Sequence, residues 1–258
     1  MEVSLGGRAA LITGGSKGLG LAAAEAFLAA GGRVAIVARG ADGLAAAAAA
    51  LSPHGKAVTI AADVATGEGC AAAFAEAERA LGQVDILVNN AGTSRRGPFT
   101  EITDAAWQED LDLKLFAAIR LARAAWPGMV QRRWGRILNI VNTGAKAPPA
   151  EGAPTAVSRA AGIALTKVLA NEGAPHNVLV NAIAIGIIES EQWRRRHAAD
   201  KRGLPWEAWK REAGKGVPLG RIGEAAEFGR LALFLASDAA SYLTGTAINL
   251  DGGRSPVV

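Results

Sequence analysis

The chain has 258 residues, half of them hydrophobic, with 28 Lys and Arg against 24 Asp and Glu for a formal charge of +4. That apolar fraction, beside an ordinary 20% of charged residues, excludes a disordered chain. No uninterrupted apolar run approaches the ~18 residues of a membrane span, and Met1-Glu2-Val3-Ser4 has no basic or apolar leader character, so no secretory signal is expected.

In chain order, a β-rich run at 8–13 leads into Thr13-Gly14-Gly15-Ser16-Lys17-Gly18-Leu19-Gly20 and a helix over 18–30, stopped by Gly31-Gly32. Glycines at this strand-to-helix turn let the backbone approach a pyrophosphate, which the free N–H groups at the helix start then hold. The loop is not a Walker A motif, because Lys17 is followed by Gly18 and the four-residue spacer before Gly-Lys is absent. The second strand, 33–38, ends at Ala38-Arg39. An acidic residue there would bind ribose hydroxyls, whereas Arg39, helped by Lys17, favours a 2′-phosphate and hence NADP(H) over NAD(H). The competing reading is that Arg39 points into solvent.

An alanine-rich surface helix follows at 41–51, then a strand at 57–61 and a helix at 67–81. That helix carries Cys70, the single cysteine, which fits a reducing compartment and a cytoplasmic protein. Strands at 84–89, 136–142, 178–183 and 246–250 alternate with helices at 104–133, 154–173 and 223–236, the first of these capped at Thr103-Asp104. Continuous apolar strands separated by helices predict one α/β domain over 1–258, a doubly wound parallel sheet of about seven strands with helices on both faces. The charged, Trp-rich stretch 189–215 falls at the carboxyl ends of strands, so it reads as a helical lid over a ligand site. Its alternative is a solvated insertion with its tryptophans packed on the body.

Further motifs make the chain resemble the short-chain dehydrogenase/reductase family along its whole length. These are Thr13-Gly14-x-x-x-Gly18-x-Gly20, Asp63-Val64, Asn89-Asn90-Ala91-Gly92, Asn181 to Gly186, Ser241-Tyr242-Leu243-Thr244-Gly245 and Asp251-Gly252-Gly253. The resemblance implies a Rossmann-type fold. It also implies a cofactor site built from Gly14, Ser16, Lys17, Gly18, Leu19, Gly20, Arg39, Asp63, Val64, Asn90, Ala91, Gly92, Gly186, Ile188 and Ser190. It implies a homo-oligomer as well, a tetramer or dimer.

The family's usual Asn-Ser-Tyr-Lys catalytic set is replaced throughout. The matching positions hold Lys114, Asn142, Thr155 and Arg159, and the only tyrosine, Tyr242, belongs to the C-terminal motif. A threonine hydroxyl is far less acidic than a phenol, and an arginine cannot shuttle a proton. A desolvated Lys114 is a candidate acid or base, and Asn142 with Arg159 could steady an oxyanion. The set is either an altered working site or a relic.

Other candidates are weaker. His54, His176 and His197 lie in polar contexts and read as surface residues, with no metal-ligand spacing among them. Glu151 and Lys146 share a loop on the substrate side. The lid's surplus of basic residues would attract an anionic small-molecule substrate, or it is a solvated helix face. The tract Trp193-Arg194-Arg195-Arg196-His197 is too isolated to indicate nucleic acid. The leading expectation is an NADP(H)-dependent oxidoreductase acting on a small carbonyl or enone. The alternatives are a catalytically silent nucleotide-binding homologue, or a lyase or hydrolase reusing the pocket.

Overall fold

The computed structural model describes residues 3–258. Its strands are β1 (Ala9–Thr13), β2 (Arg33–Ala38), β3 (Ala57–Ala61), β4 (Ile86–Asn89), β5 (Gly135–Asn142), β6 (Val178–Ile185) and β7 (Ala247–Leu250). They pair in parallel in the order β3-β2-β1-β4-β5-β6-β7. The helices are α1 (Gly18–Ala29), α2 (Ala41–Leu51), α3 (Gly67–Leu81), α4 (Asp104–Leu111), α5 (Ala117–Arg132), α6 (Thr155–Gly173), α7 (Glu191–Ala198), α8 (Trp206–Gly214) and α9 (Ala225–Ala236). No helix among the described residues is long and apolar enough to cross a membrane.

Both faces of the sheet are covered, which is why its strands read as unbroken apolar runs. Along β1, Ala10 and Ile12 join the core under α1, α2 and α9, while Ala9 and Leu11 join the core under α3, α5 and α6. The winding reverses at β1, which pairs with β2 on one side and β4 on the other. In such sheets the reversal opens a crevice above the carboxyl ends of the strands, where ligands bind. Asn90 fixes its floor, donating from Nδ2 to the Thr13 carbonyl at 2.9 Å and from its backbone N–H to Thr13 Oγ1 at 3.0 Å.

The predicted elements are present, with differences at their ends. β4 begins two residues later than expected, because the Asp85 carboxylate is buried against the Ala9 N–H at 3.0 Å. The helix expected over 104–133 is interrupted by a π-helical turn, Asp112–Phe116, between α4 and α5. Such turns insert an extra residue and often mark functional sites; this one carries Lys114.

The region 189–215 has its own small core. Trp206 and Trp209 stack at 5.6 Å, Trp193 lies 5.8 Å from Trp209, and the His197 ring meets Trp206 and Trp209 edge-on at 5.2 and 5.7 Å. Its tryptophans therefore pack on one another. His197 is half-buried among them, with Nε2 2.8 Å from the Leu204 carbonyl, which corrects its reading as a surface residue. The segment is anchored beside the crevice by the Glu189 N–H donating to the Gly223 carbonyl at 2.8 Å.

Candidate active site

One wall of the crevice is made mainly of backbone. Gly14 has φ +65°, and a Cβ there would sit 3.0 Å from Asn90 Nδ2. A Cβ on Gly20 would collide with the Gly14 carbonyl. At Gly18 (φ +55°) an added Cβ would meet only Ser190, 3.6 Å away, so the loop and the start of the 189–215 segment bound an open cradle. Lys17 caps α1 without a side-chain hydrogen bond, and the first turn holds no acid, so its N–H groups and positive dipole end suit a pyrophosphate. Leu19 is buried behind the loop.

Arg39 is exposed at the end of β2, and α2 comes in beside Ser16, to which a Cβ on Gly43 would stand 3.7 Å away. Val64 is buried beyond β3, next to Asp63, whose Oδ1 accepts from the Ala65 N–H at 3.1 Å. Ala91 adds a second N–H on Thr13 Oγ1 at 3.0 Å, and Gly186 lies against Asp251 where no side chain would fit. Ile188 is buried in an isolated bridge to Gly223. This cradle fits a dinucleotide.

The other wall is a buried cluster of charges and hydroxyls. Asp110 and Lys114 are four residues apart on one helical face. Their ion pair is sealed, with side-chain exposures of 2% and 0%. Lys114 Nζ also donates to Thr155 Oγ1 at 2.7 Å. Thr155 Oγ1 accepts the Arg95 backbone N–H at 3.0 Å and donates to Asp110 Oδ1 at 3.3 Å. Ser158, one turn further along α6, donates from Oγ to Asp110 Oδ2 at 2.6 Å. The hydroxyl of Thr155 thus uses its one donor and both acceptor positions within the protein.

Burial pushes the Lys114 ammonium down to about 8; its hydrogen bond to the Asp110 carboxylate opposes this, and the charges of Arg159 and Arg95 add to it. Burial likewise lowers Arg159 to about 10, against the attraction of Asp110. The Arg159 guanidinium donates to the Ile140 carbonyl at 2.5 Å and lies across Gly92, where a Cβ would collide with it. Asn142 ends β5, and its Oδ1 is buried with no hydrogen-bond partner.

The structure thus brings together three of the four candidate catalytic residues, Lys114, Thr155 and Arg159, while Asn142 forms no side-chain hydrogen bond with them. Sequence reasoning missed Asp110, Ser158 and Arg95. The acid-to-lysine spacing of four residues from Asp110 to Lys114 was a usable signal; nothing in the sequence places Arg95 over α6. The segment carrying Arg95 is pinned there by the Gly97 N–H on the Glu151 carbonyl at 3.2 Å, and Arg95 itself pairs with Glu109 at 2.8 Å.

The weaker candidates are placed as follows. Lys146 is tied to the Ala247 carbonyl at 2.6 Å, Glu151 is exposed, and His54 pairs with Glu25 at 3.2 Å. No group of acids, histidines and cysteines among the described residues could hold a metal ion. In the segment 189–215, Arg194, Arg202, Lys210 and Lys215 pair with acids. Arg195, Arg196, Lys201 and Arg211 form no ion pair among the described residues.

Residues 14–255 match the family model described as enoyl-(acyl carrier protein) reductase. The chain is 35% identical over 250 residues to an acetoacetyl-CoA reductase of Shinella zoogloeoides, covering 96% of this chain and 98% of that one. The L-sorbose reductase of Gluconobacter frateurii, solved with NADPH and L-sorbose, superposes with a TM-score of 0.94 at 34% identity over the whole of both chains. An NADPH-bound short-chain oxidoreductase of Pseudomonas aeruginosa PAO1, described as containing an atypical catalytic center, superposes with a TM-score of 0.92 at 39% identity. That match covers 99% of this chain and 100% of the other.

Proposed function

The chain belongs to the short-chain dehydrogenase/reductase family of oxidoreductases, and on that premise we propose that it is an NADP(H)-dependent reductase of a small carbonyl or enone compound, with a proton relay from Lys114 through Thr155. The observation that carries this reading is the 2.7 Å contact between Lys114 Nζ and Thr155 Oγ1, made by an ammonium that burial has brought down to about 8. A lysine so tuned releases a proton near neutral pH, the task a phenol would otherwise perform. NADPH in the two solved relatives, with Arg39 and Lys17 beside the cradle here, supports the cofactor choice.

The cofactor, when bound, supplies or accepts the hydride. The chain's own residues handle the oxygen. The Thr155 hydroxyl turns from its 3.3 Å contact with Asp110 toward the substrate oxygen and passes on its proton as it takes one from Lys114. Threonine never ionises in this exchange, so its high pKa is no obstacle. The Arg159 guanidinium steadies negative charge developing on oxygen. Asn142, with Oδ1 unpartnered, adds a polar contact to a substrate hydroxyl or bound water.

The unpaired lid arginines favour an anionic substrate, and the names of the relatives suggest acetoacetyl-CoA and L-sorbose as first trials. Exposed Phe116, Val157 and Val168 on the α5 and α6 side support a homo-oligomer. A second reading, a nucleotide-binding homologue without turnover, draws on the sealing of Lys114 and the full use of the Thr155 hydroxyl. Side-by-side titration with NADPH and NADH, read by energy transfer from tryptophan to nicotinamide, tests the cofactor choice. Consumption of NADPH with acetoacetyl-CoA, L-sorbose and 2-cyclohexenone then separates the two readings. Tight NADPH binding with turnover supports the first, and tight binding without turnover supports the second. Failure to bind either nucleotide would sink both.

A further inference from the structure

α4 carries a single buried residue, and it is an acid, Asp110. A helix face packed into a protein normally presents apolar side chains there. A buried ion pair is rarely worth more than well-packed apolar residues of similar volume, so stability alone is a poor reason for Asp110 and Lys114. The carboxylate serves several groups at once. Oδ1 takes both the Lys114 ammonium and the Thr155 hydroxyl, and Oδ2 takes the Ser158 hydroxyl at 2.6 Å. Those bonds hold donor and acceptor of the 2.7 Å Lys114–Thr155 contact against one shared oxygen.

We propose that Asp110 is the positioning residue of the proton relay: it aims the Lys114 ammonium at Thr155, parks the Thr155 hydroxyl proton between turnovers, and is itself held in place by Ser158. This assignment rests on the relay reading above. Among the described residues the Asp110 side chain bonds only Lys114, Thr155 and Ser158 and is 2% exposed, so it acts through Lys114 and Thr155.

Among the described residues, every other charge facing Lys114 is positive. Arg159 comes from α6 and Arg95 from the segment after β4, the latter already paired with Glu109. Asp110 is thus the one acid opposing burial and two arginines around Lys114. Without it the ammonium would discharge at lower pH and lose its fixed direction.

The test reads Lys114 directly. Protein labelled with 13C at lysine Cε is titrated from pH 6 to 11 by NMR, with the Lys114 signal assigned by its absence in K114R. Wild type is expected to show a midpoint near 8, and D110N a midpoint lower by about one pH unit or more. S158A, which loosens the carboxylate without removing its charge, is expected to shift the midpoint the same way by a smaller amount. A D110N midpoint equal to that of wild type would overturn the assignment. If D110N does not fold, S158A decides in its place, and an unmoved midpoint there overturns the assignment equally.

K114M, assayed for NADPH-dependent reduction of whichever trial substrate wild type turns over, separates this proposal from the one beneath it. An inactive K114M with an unmoved D110N midpoint leaves the relay standing and removes Asp110 from it. A fully active K114M removes the relay, and the positioning role with it.

Discussion

The two walls of the crevice solve their tasks by different physics. The phosphate wall is backbone: glycines at positive φ, uncapped N–H groups at the start of α1, and Asn90 tying β4 to β1. The opposite wall is side chains: an acid, a lysine, an arginine and two hydroxyls removed from solvent and dependent on one another. A backbone site tolerates many side chains but no Cβ at its close approaches. A side-chain site can exchange its members, provided charge and hydrogen bonding stay balanced. That difference would let one protein keep a cofactor loop while its side-chain wall is exchanged, as we propose for Lys114, Thr155 and Arg159.

The largest effect is expected where the charge balance is broken. K114M should lower reductive kcat by about 10²–10⁴. It also leaves the Asp110 carboxylate buried without its cation, which should cost about 3–5 kcal/mol in a urea melt. The double variant K114M/D110L should regain most of that stability and none of the activity. Recovered activity would mean the charged wall is only packing.

On the other wall, G20V drives a side chain into the Gly14 carbonyl and Asn90 and should weaken NADPH binding by about 10–100-fold, as a 1–3 kcal/mol overpacking penalty implies. R39D should weaken NADPH binding about 10–100-fold while leaving NADH binding equal or better, since one charge-assisted contact is worth about 1.5–3 kcal/mol. Both are measured by the fluorescence titration.

The gentlest probe is pH. Lys114 must carry its proton to give it, and its protonated fraction falls above about 8. Reductive kcat should therefore decline as pH rises through that value, and alcohol oxidation, which needs the neutral amine, should increase over the same range. A flat profile from pH 7 to 9 would remove Lys114 from the proton path.

The fold was legible because it rests on periodicity and glycine placement. The apolar runs matched all seven strands, and the strand-loop-helix setting of Gly14, Gly18 and Gly20 located the cradle. The candidate residues Lys114, Thr155 and Arg159 could be named from the sequence, while their mutual contacts could not. Whether Lys114 reaches Thr155 depends on the π turn, which shifts the helix by an extra residue and leaves no mark in a 3.6-residue pattern. Asp110 was not singled out in the sequence, because its spacing to Lys114 fits any helical ion pair and only its burial sets it apart. The tryptophans of 189–215 were visible as residues, yet their packing on one another, across α7 and α8, was not.

Whether Lys114, Thr155 and Arg159 form a working site is tested most directly by restoring the residues they displaced. Wild type and the double variant T155Y/R159K would be compared for NADPH consumption at pH 7 with acetoacetyl-CoA, L-sorbose and 2-cyclohexenone. The account predicts turnover of at least one of these by wild type, lost in the double variant because a tyrosine ring breaks the Lys114–Asp110–Thr155 contacts. An inert wild type beside a double variant that gains carbonyl reduction would contradict it and mark the native chain as a disarmed scaffold.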